Sequence, residues 1–381
     1  MKINVASFGY FGYFLAREMS ALGELGVLYT NLHAGRLRDI PENKRKINLP
    51  SALPIVLSKI GMHNFATKYL NWPCVEYFDQ WVASNLDFCN IFHSFSSFGR
   101  RAHKVAREKY GAMTVVERGS SHIVYQNQIL SEEYERWGLK FPQIDKRIIE
   151  KEQLEYEECD YITIQSSFAE KTFIEHGVPS KKLIKLPLGV DLSMFHPVSK
   201  NDSVFRVLYA GSFSLRKGTL YLLEAIKQLK LKNFEFVFNG HVSSELQKFL
   251  DPYTDIIKFV GMRPFDQLYK LYSQASVFVL PTLEDGFAKV ITEAMACGVP
   301  VIATTNCGAE DVMTDGQEGF IIPIRDVRAI RDRILFMYEN PDIRDQMAAA
   351  SLAKAKELLS CETHGLRALD AYSNAYRKFQ T

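Results

Sequence analysis

The stretch Pro281-Thr-Leu-Glu-Asp-Gly-Phe-Ala-Lys-Val-Ile-Thr-Glu-Ala-Met-Ala-Cys-Gly-Val-Pro300 leaves this chain few ways to fold. Just ahead of it, Ala275–Leu280 is a short apolar run of strand type, and Val299–Thr304 closes it with another. Between the two, Val290, Ile291, Ala294 and Met295 recur at helical spacing, and Gly298 stands where a helix would stop. Strand, loop, helix and strand in that order predict a parallel βαβ unit and therefore an open α/β sheet. The loop Leu283–Phe287 then lies at the carboxyl end of a strand, where such sheets bind their ligands. The following helix N-terminus adds free N–H groups and partial positive charge, which suit a phosphate.

Asp285 and Glu293 sit eight positions apart, one at the mouth of this helix and one two turns in. That spacing allows two carboxylates on one face, where they can accept hydrogen bonds from sugar hydroxyls. The competing reading makes Asp285 a helix cap and Glu293 a solvated helix residue.

The stretch resembles the Glu-x7-Glu signature of retaining GT-B glycosyltransferases (glycosyl transferases group 1), usually met as Glu-Gly-Phe-Gly followed by a Glu-Ala-Met-Ala-x-Gly helix. Asp285 stands where the first Glu usually does, and Ala288 where the second Gly does. The resemblance implies that Glu293 holds a nucleotide ribose and that Asp285 contacts the donor sugar. It also implies that Gly286, Phe287, Ala288, Lys289 and Val290 border the donor.

At 381 residues the chain has room for two domains, and a net charge of +2 gives no sign of a nucleic-acid partner. Its six cysteines are scattered without a Cys-x-x-Cys pair, which argues against zinc and a disulfide framework and for a reducing cytoplasm. The N-terminal run Ile3–Ala16 is broken by Asn4, Gly9 and Gly12 and reads as strand, turn and helix rather than a signal peptide. No apolar run approaches the roughly twenty residues of a spanning helix. The expectation is a cytoplasmic protein, at most peripheral at the inner face of a membrane.

Residues 2–7 and 12–22 predict the first strand and helix, with Gly9 and Gly12 in the turn between. The resemblance places a glycine-containing loop here against the donor. Residues 36–109 carry twelve Lys or Arg against six acids, with Trp72, Tyr77, Phe78 and Trp81 among them. Such a stretch is either a solvated surface or a face for anionic lipid headgroups. Residues 131–160 carry ten acids against five bases and predict a water-facing helical segment. Asn90–Ser94 and Thr114–Arg118 each read as a strand running into a loop, so both loops open on one sheet edge. Relatives often carry a His near the end of the second strand. Here Arg118 holds about that place and His122 follows, so both are expected to face the acceptor or the donor phosphate as catalytic residues. His93 reads as a packed loop histidine.

Lys185–Pro197 resembles the Pro-x-Gly-Val-Asp…Phe-x-Pro segment that ends the first domain in these transferases. After a polar linker, strand Phe205–Ala210 leads through Gly211-Ser-Phe-Ser-Leu-Arg-Lys-Gly218 into helix 219–230. A glycine-flanked loop with Arg216 and Lys217 ahead of a helix suits a diphosphate. Gly-x5-Lys-Gly is itself a family mark with the Lys on the donor diphosphate. Ser212 replaces the family's Arg, so Arg216 is expected to supply a second charge. Arg263, in Gly261-Met-Arg-Pro264, is a candidate neighbour of the nucleotide base.

The expected architecture is GT-B: two doubly wound Rossmann-like domains, 1–198 for the acceptor and 199–362 for the donor, facing across a cleft. Residues 363–381 would form a helix crossing back to the first domain. The resemblance implies retaining hexose transfer from a nucleotide-diphosphate sugar to a glycan or lipid-linked acceptor, as in bacterial surface polysaccharide or glycolipid synthesis. With no Asp-x-Asp motif, neither a metal nor another cofactor is expected. A nucleotide-sugar epimerase and a non-catalytic nucleotide-sugar-binding subunit are the alternatives; the fold does not separate them.

Overall fold

The computed structural model describes residues 1–381 apart from 10, 11, 60, 63, 64 and 66–68. Among the described residues the strands form two parallel sheets. The first runs β3-β2-β1-β4-β5-β6-β7, with β1 Ile3–Ser7, β2 Leu25–Thr30, β3 Arg45–Ile47, β4 Ile91–Phe95, β5 Met113–Arg118, β6 Tyr161–Ile164 and β7 Leu183–Lys185. The second runs β10-β9-β8-β11-β12-β13, with β8 Phe205–Ala210, β9 Phe234–Asn239, β10 Ile257–Phe259, β11 Val277–Leu280, β12 Val301–Thr304 and β13 Gly319–Ile322. Central strands such as β1, β4, β8, β11 and β12 are buried along their whole length. Covering on both faces by helices is what makes their sequences continuous apolar runs rather than alternating ones. In each sheet the chain starts centrally, winds outward, then returns to the other side of its first strand. The switch points therefore lie at β1/β4 and β8/β11, and these carboxyl edges carry the site.

Three helices join the two halves. Helix α1 (Tyr13–Ala21) follows β1, and the last helix, Cys361–Phe379, returns to pack beside it. Ala368, Tyr372 and Ala375 enter the same apolar cluster as Ile3, Leu15 and Met19, and His364 Nδ1 meets Glu18 Oε2 at 2.6 Å. The helix Ile123–Arg136 follows β5 of the first sheet, yet its Ile129, Leu130 and Tyr134 are buried in the core of the second domain.

The expectation of a water-facing segment over 131–160 is corrected here. Glu133, Glu152 and Glu155 are all buried. Glu133 accepts hydrogen bonds from Trp137 Nε1, Tyr221 Oη and Arg325 Nε, each at 2.7 Å, and so ties the two domains together. Glu155 accepts the backbone N–H groups of Ser97 at 2.6 Å and of Gly99 and Arg100 at 3.1 Å, at the start of helix Arg100–Tyr110. Residue counts cannot separate such internal acceptors from surface charge, because a buried carboxylate is tolerated wherever donors surround it.

Candidate active site

A cavity of about 400 Å³ lies between the two sheet edges. The first domain lines it with Phe14, Leu15, Phe95, Glu117, Gly119 and Gln165, and the second with Gly211, Lys217, Asp285, Phe287, Ala288, Lys289 and Val290. His364 and Tyr372 of the last helix complete the wall.

The loop after β11 is shaped by close approaches. Gly218 adopts φ +63°, and a Cβ there would sit 1.9 Å from the Pro281 carbonyl oxygen. Only glycine lets the Lys217 loop lie against the Asp285 loop so closely. Lys217 Nζ donates directly to Asp285 Oδ2. The other Asp285 oxygen accepts the N–H of Ala288 at 3.2 Å and, at 3.4 Å, that of Phe287. Burial pushes the Asp285 carboxyl up, and the Lys217 and Arg216 charges outweigh it, leaving it below the usual carboxylate range. Asp285 is not the helix cap, a place held by Lys289; it closes the turn ahead of the helix and lines the cavity. Ala288, where the family has glycine, takes φ +54°, a left-handed conformation costing an alanine about 1 kcal/mol. Lys289 Nζ lies 3.7 Å from the centre of the Phe14 ring, a cation–π contact across the cavity.

Glu293 sits inside the helix Val290–Ala296, buried rather than solvated, and accepts from Tyr272 Oη at 3.0 Å. Burial raises its pKa above the usual value, with the Lys289 charge and Tyr272 opposing. It lies behind the cavity-lining residues and not among them.

Glu284, beside Asp285, has no exposed surface and bridges the domains. Its Oε1 accepts from Ser120 Oγ at 2.6 Å, Ser121 Oγ at 2.7 Å and the Ser121 N–H at 2.9 Å. Its Oε2 accepts from Arg216 Nε at 2.8 Å and Gln126 Nε2 at 2.9 Å. Burial opposes its charge, but Arg216 and these donors hold the carboxyl far below the usual range. Gly286 meets the same loop: a Cβ there would lie 2.4 Å from the Gly119 carbonyl oxygen. Arg216 is therefore not placed as a second diphosphate charge. Its guanidinium is committed to the Glu284 carboxylate and backbone carbonyl and to Ser120.

On the first domain's wall the structure replaces Arg118 by its neighbour. Successive side chains of a strand point to opposite faces, so Arg118 and Glu117 on β5 diverge. Arg118 is held by Glu152 at 3.0 Å, Gln126 at 2.8 Å and the Ser121 carbonyl at 3.1 Å, away from the cavity. Glu117 lines the cavity, accepting from Gln165 Nε2 at 2.9 Å and meeting His93 Nε2 at 2.9 Å. His93 lies within β4, not in a loop, and its Nδ1 meets Tyr372 Oη at 2.9 Å. With Tyr372 donating to Nδ1, the ring proton sits on Nε2 and points at Glu117. A carboxylate has about four acceptor positions, so Glu117 keeps acceptor capacity towards the cavity. A lone acid near the carboxyl end of an otherwise apolar strand was the available sequence signal.

His122 is not brought to the cavity. Its ring stacks on His176 at 4.5 Å between centroids, its Nδ1 accepts from the Val124 N–H at 3.3 Å, and burial, with His176 and Arg118, lowers its pKa to about 3. Gly9 and Gly12 serve the turn: Gly9 takes φ +71° and donates to Asn31, and Gly12 donates to Ser7. The cavity wall begins beyond them at Phe14, and Tyr10 and Phe11 lie outside the described residues. Arg263 is exposed on the loop after β10, its N–H donating to Asn239 at 3.1 Å, outside the cavity lining.

Two doubly wound α/β domains facing across a cavity make the GT-B architecture. Residues 204–340 match the family described as glycosyl transferases group 1. Over 172 residues the chain is 26% identical to a putative colanic acid biosynthesis glycosyltransferase of Escherichia coli (strain K12), covering 42% of either protein. Over 233 residues it is 27% identical to the GDP-mannose-dependent monoacylated alpha-(1-6)-phosphatidylinositol monomannoside mannosyltransferase of Corynebacterium glutamicum, 55% of this chain and 61% of that one. The chain thus spans between about two-fifths and three-fifths of these relatives' length. Sucrose-phosphate synthase from Thermosynechococcus elongatus superposes with a TM-score of 0.75 at 19% identity, over 99% of this chain and 100% of that one. Anabaena HepE in complex with UDP-glucose superposes with a TM-score of 0.69 at 16% identity, over 98% and 100%. At these identities the likeness concerns the fold.

Proposed function

We propose that the chain is a retaining, metal-independent glycosyltransferase that moves a hexose from a nucleotide-diphosphate sugar to a hydroxyl of a glycan or lipid-linked acceptor. The observation that carries this reading is the convergence of Lys217, Asp285 and Lys289 on one inter-domain cavity at a helix N-terminus. Lys217 is paired with Asp285 and Lys289 rests on Phe14, so two cations stand ready for the diphosphate. Stabilising charge on the leaving diphosphate contributes most to catalysis of this kind. Asp285 orients the sugar, and the ribose reaches past the cavity lining to Glu293, which Tyr272 holds behind it. The bond from the anomeric carbon to the diphosphate oxygen breaks as the acceptor oxygen bonds to that carbon on the same face. The acceptor proton passes to the leaving phosphate oxygen, so the step balances without a separate base. Glu117, fixed by His93 and Gln165, accepts a hydrogen bond from the acceptor on the opposite wall. The relatives' names include a colanic acid biosynthesis enzyme and a phosphatidylinositol mannoside mannosyltransferase, which supports surface polysaccharide or glycolipid synthesis.

The test is hydrolysis of UDP-, GDP- and ADP-sugars without acceptor, followed in the protein and in Lys217→Ala. One donor should be hydrolysed slowly, and the variant should lose about a hundredfold or more of that rate with its fold intact. Retained turnover in Lys217→Ala would sink the reading. Donor isomerised without transfer would point to an epimerase, and binding without hydrolysis to a non-catalytic subunit.

A further inference from the structure

The last helix, Cys361–Phe379, returns to the first domain and brings two polar side chains to the cavity wall, Tyr372 and His364. Tyr372 is engaged with His93. His364 Nδ1 meets Glu18 Oε2 at 2.6 Å, and both side chains are only 7% exposed. A carboxylate only accepts, so Nδ1 carries the proton and the ring is held in one orientation. Nε2 makes no hydrogen bond among the described residues, nor is it one of their enclosed polar atoms lacking a partner. The edge of the ring that reaches the cavity is the Nε2 edge.

Gly365 makes this pairing possible. Glycine weakens a helix interior, yet a Cβ at this position would stand 3.0 Å from Glu18 Cβ. A larger residue would push α1 off the last helix and draw the carboxylate away from His364. A buried carboxylate on one imidazole nitrogen, with the other nitrogen opening into a cavity, is an arrangement that orients a histidine towards a ligand.

The surroundings select an anion. Phe14, one turn before Glu18 on α1, carries the Lys289 ammonium on its ring at 3.7 Å. The thiol of Cys361, one turn before His364, is pushed up to about 11 by burial and by Glu18, with Arg17 and Lys289 opposing and Asp191 also in reach. Lys289 and His364 border the same end of the cavity. The two acids there are already paired, Glu18 with His364 and Asp191 with Arg17 at 3.6 Å. A cation and an imidazole nitrogen are what this end offers a ligand.

Topology says which anion. In the transferase reading, on which this inference rests, the nucleoside lies against the second domain towards Glu293. His364 stands on the first-domain side, packed beside α1. Of the two phosphates in a donor stretched between them, the one nearer His364 is the distal one, which carries the sugar. We propose that His364, positioned by Glu18, donates from Nε2 to an oxygen of this distal phosphate and stabilises the charge it gains as the sugar leaves. With the phosphate bound, the ring lies between two anions and holds a proton on each nitrogen, the second drawn from solvent. That proton stays on the ring, and the acceptor's proton still passes to the leaving oxygen. The charged and titratable groups facing this end are Glu18 and Arg17 from α1, Cys361 of the same helix, Lys289 and Asp191.

The experiment is calorimetric titration of the full chain with UDP, GDP and ADP and with the matching nucleoside monophosphates, for the protein, His364→Gln and Glu18→Gln. His364→Gln should bind the preferred diphosphate about tenfold to a hundredfold more weakly, the worth of a hydrogen bond to a charged group, and its monophosphate within about twofold of the protein. Glu18→Gln keeps an acceptor for Nδ1 without the charge, and should lose about threefold to tenfold of the diphosphate affinity alone. Unchanged diphosphate affinity in His364→Gln would overturn the contact. Equal weakening towards diphosphate and monophosphate would do the same, by making His364 a structural part of the wall. Either result leaves the donor reading in place. Absence of binding of all three diphosphates to the unaltered protein would remove the donor reading and this contact with it.

Discussion

Replacing Glu284 by Gln tests whether this buried carboxylate fastens the two domains. The geometry predicts an uneven loss. With the amide oxygen in place of Oε1, the contacts to Ser120 and Ser121 survive. The amide nitrogen then faces Gln126 Nε2 and Arg216 Nε, donors against a donor, and the Arg216 charge loses its partner. Removing one member of a fully buried pair costs about 3–5 kcal/mol. Glu284 is fully buried, but the Arg216 side chain is 36% exposed and can recruit water. Discounting for that screening leaves about 2 kcal/mol, and the unsatisfied amide adds about 1 kcal/mol. Denaturant unfolding followed by the fluorescence of Trp137, which packs against Tyr221 and Phe249 in the second domain, reads the loss directly. In a double-mutant cycle, Arg216→Met on the Glu284→Gln background should recover about 1–2 kcal/mol, because no unpaired guanidinium is left. The pH dependence has a definite sign. A carboxyl whose folded pKa is depressed contributes stability that is full above its unfolded value near 4.3 and lost as pH falls towards the folded one. The clasp is therefore intact at about pH 6, where the cycle should be run. A loss below about 0.5 kcal/mol in Glu284→Gln, or strict additivity in the cycle, would refute the Glu284–Arg216 pairing that holds the carboxylate charged beside Ser120, Ser121 and Gln126.

Two further outcomes follow from the site. Glu117→Gln should leave acceptor-free donor hydrolysis within about twofold and lower transfer to acceptor by about tenfold to a hundredfold, the worth of one hydrogen bond to a charged group; equal loss of both rates would place Glu117 in the fold and not at the acceptor. Burial lowers the pKa of His103 and of His122 to about 3 each, so the unfolded chain takes up protons first as pH falls below about 6.5. Stability should be full above that pH and fall by up to about 1.4 kcal/mol per unit for each ring below it; an unfolding midpoint unchanged between about pH 7 and about pH 5 would contradict their burial as neutral groups.

What could be read from the sequence was what depends on neighbours along the chain. The apolar runs at 275–280 and 299–304 became β11 and β12, and the helical spacing between them became Val290–Ala296, because a strand buried on both faces and a helix with one buried face each leave a local pattern. The glycine-flanked Lys217 and the acid at 285 meet because each lies at the carboxyl edge of a strand of the same sheet, β8 and β11, which pair directly. The pleat decided between Glu117 and Arg118. A motif that names the end of a strand leaves open which of two adjacent side chains faces the ligand, and a one-residue difference reverses the face. Glu284 illustrates the harder limit. Its partner Ser120 is 164 positions away, and nothing near either residue records that the helix Ile123–Arg136 would leave its own domain and bury Ile129 and Leu130 in the other. Once that helix crosses, the loop before it lies against the loop after β11, and Glu284 takes hydroxyl and N–H donors from Ser120 and Ser121 across the boundary while Arg216 of its own domain supplies the opposite charge. The acids of 131–160 read as solvated for the same reason: their donors, Arg325, Tyr221 and the N–H groups of Ser97 to Arg100, arrive from elements that no local count includes.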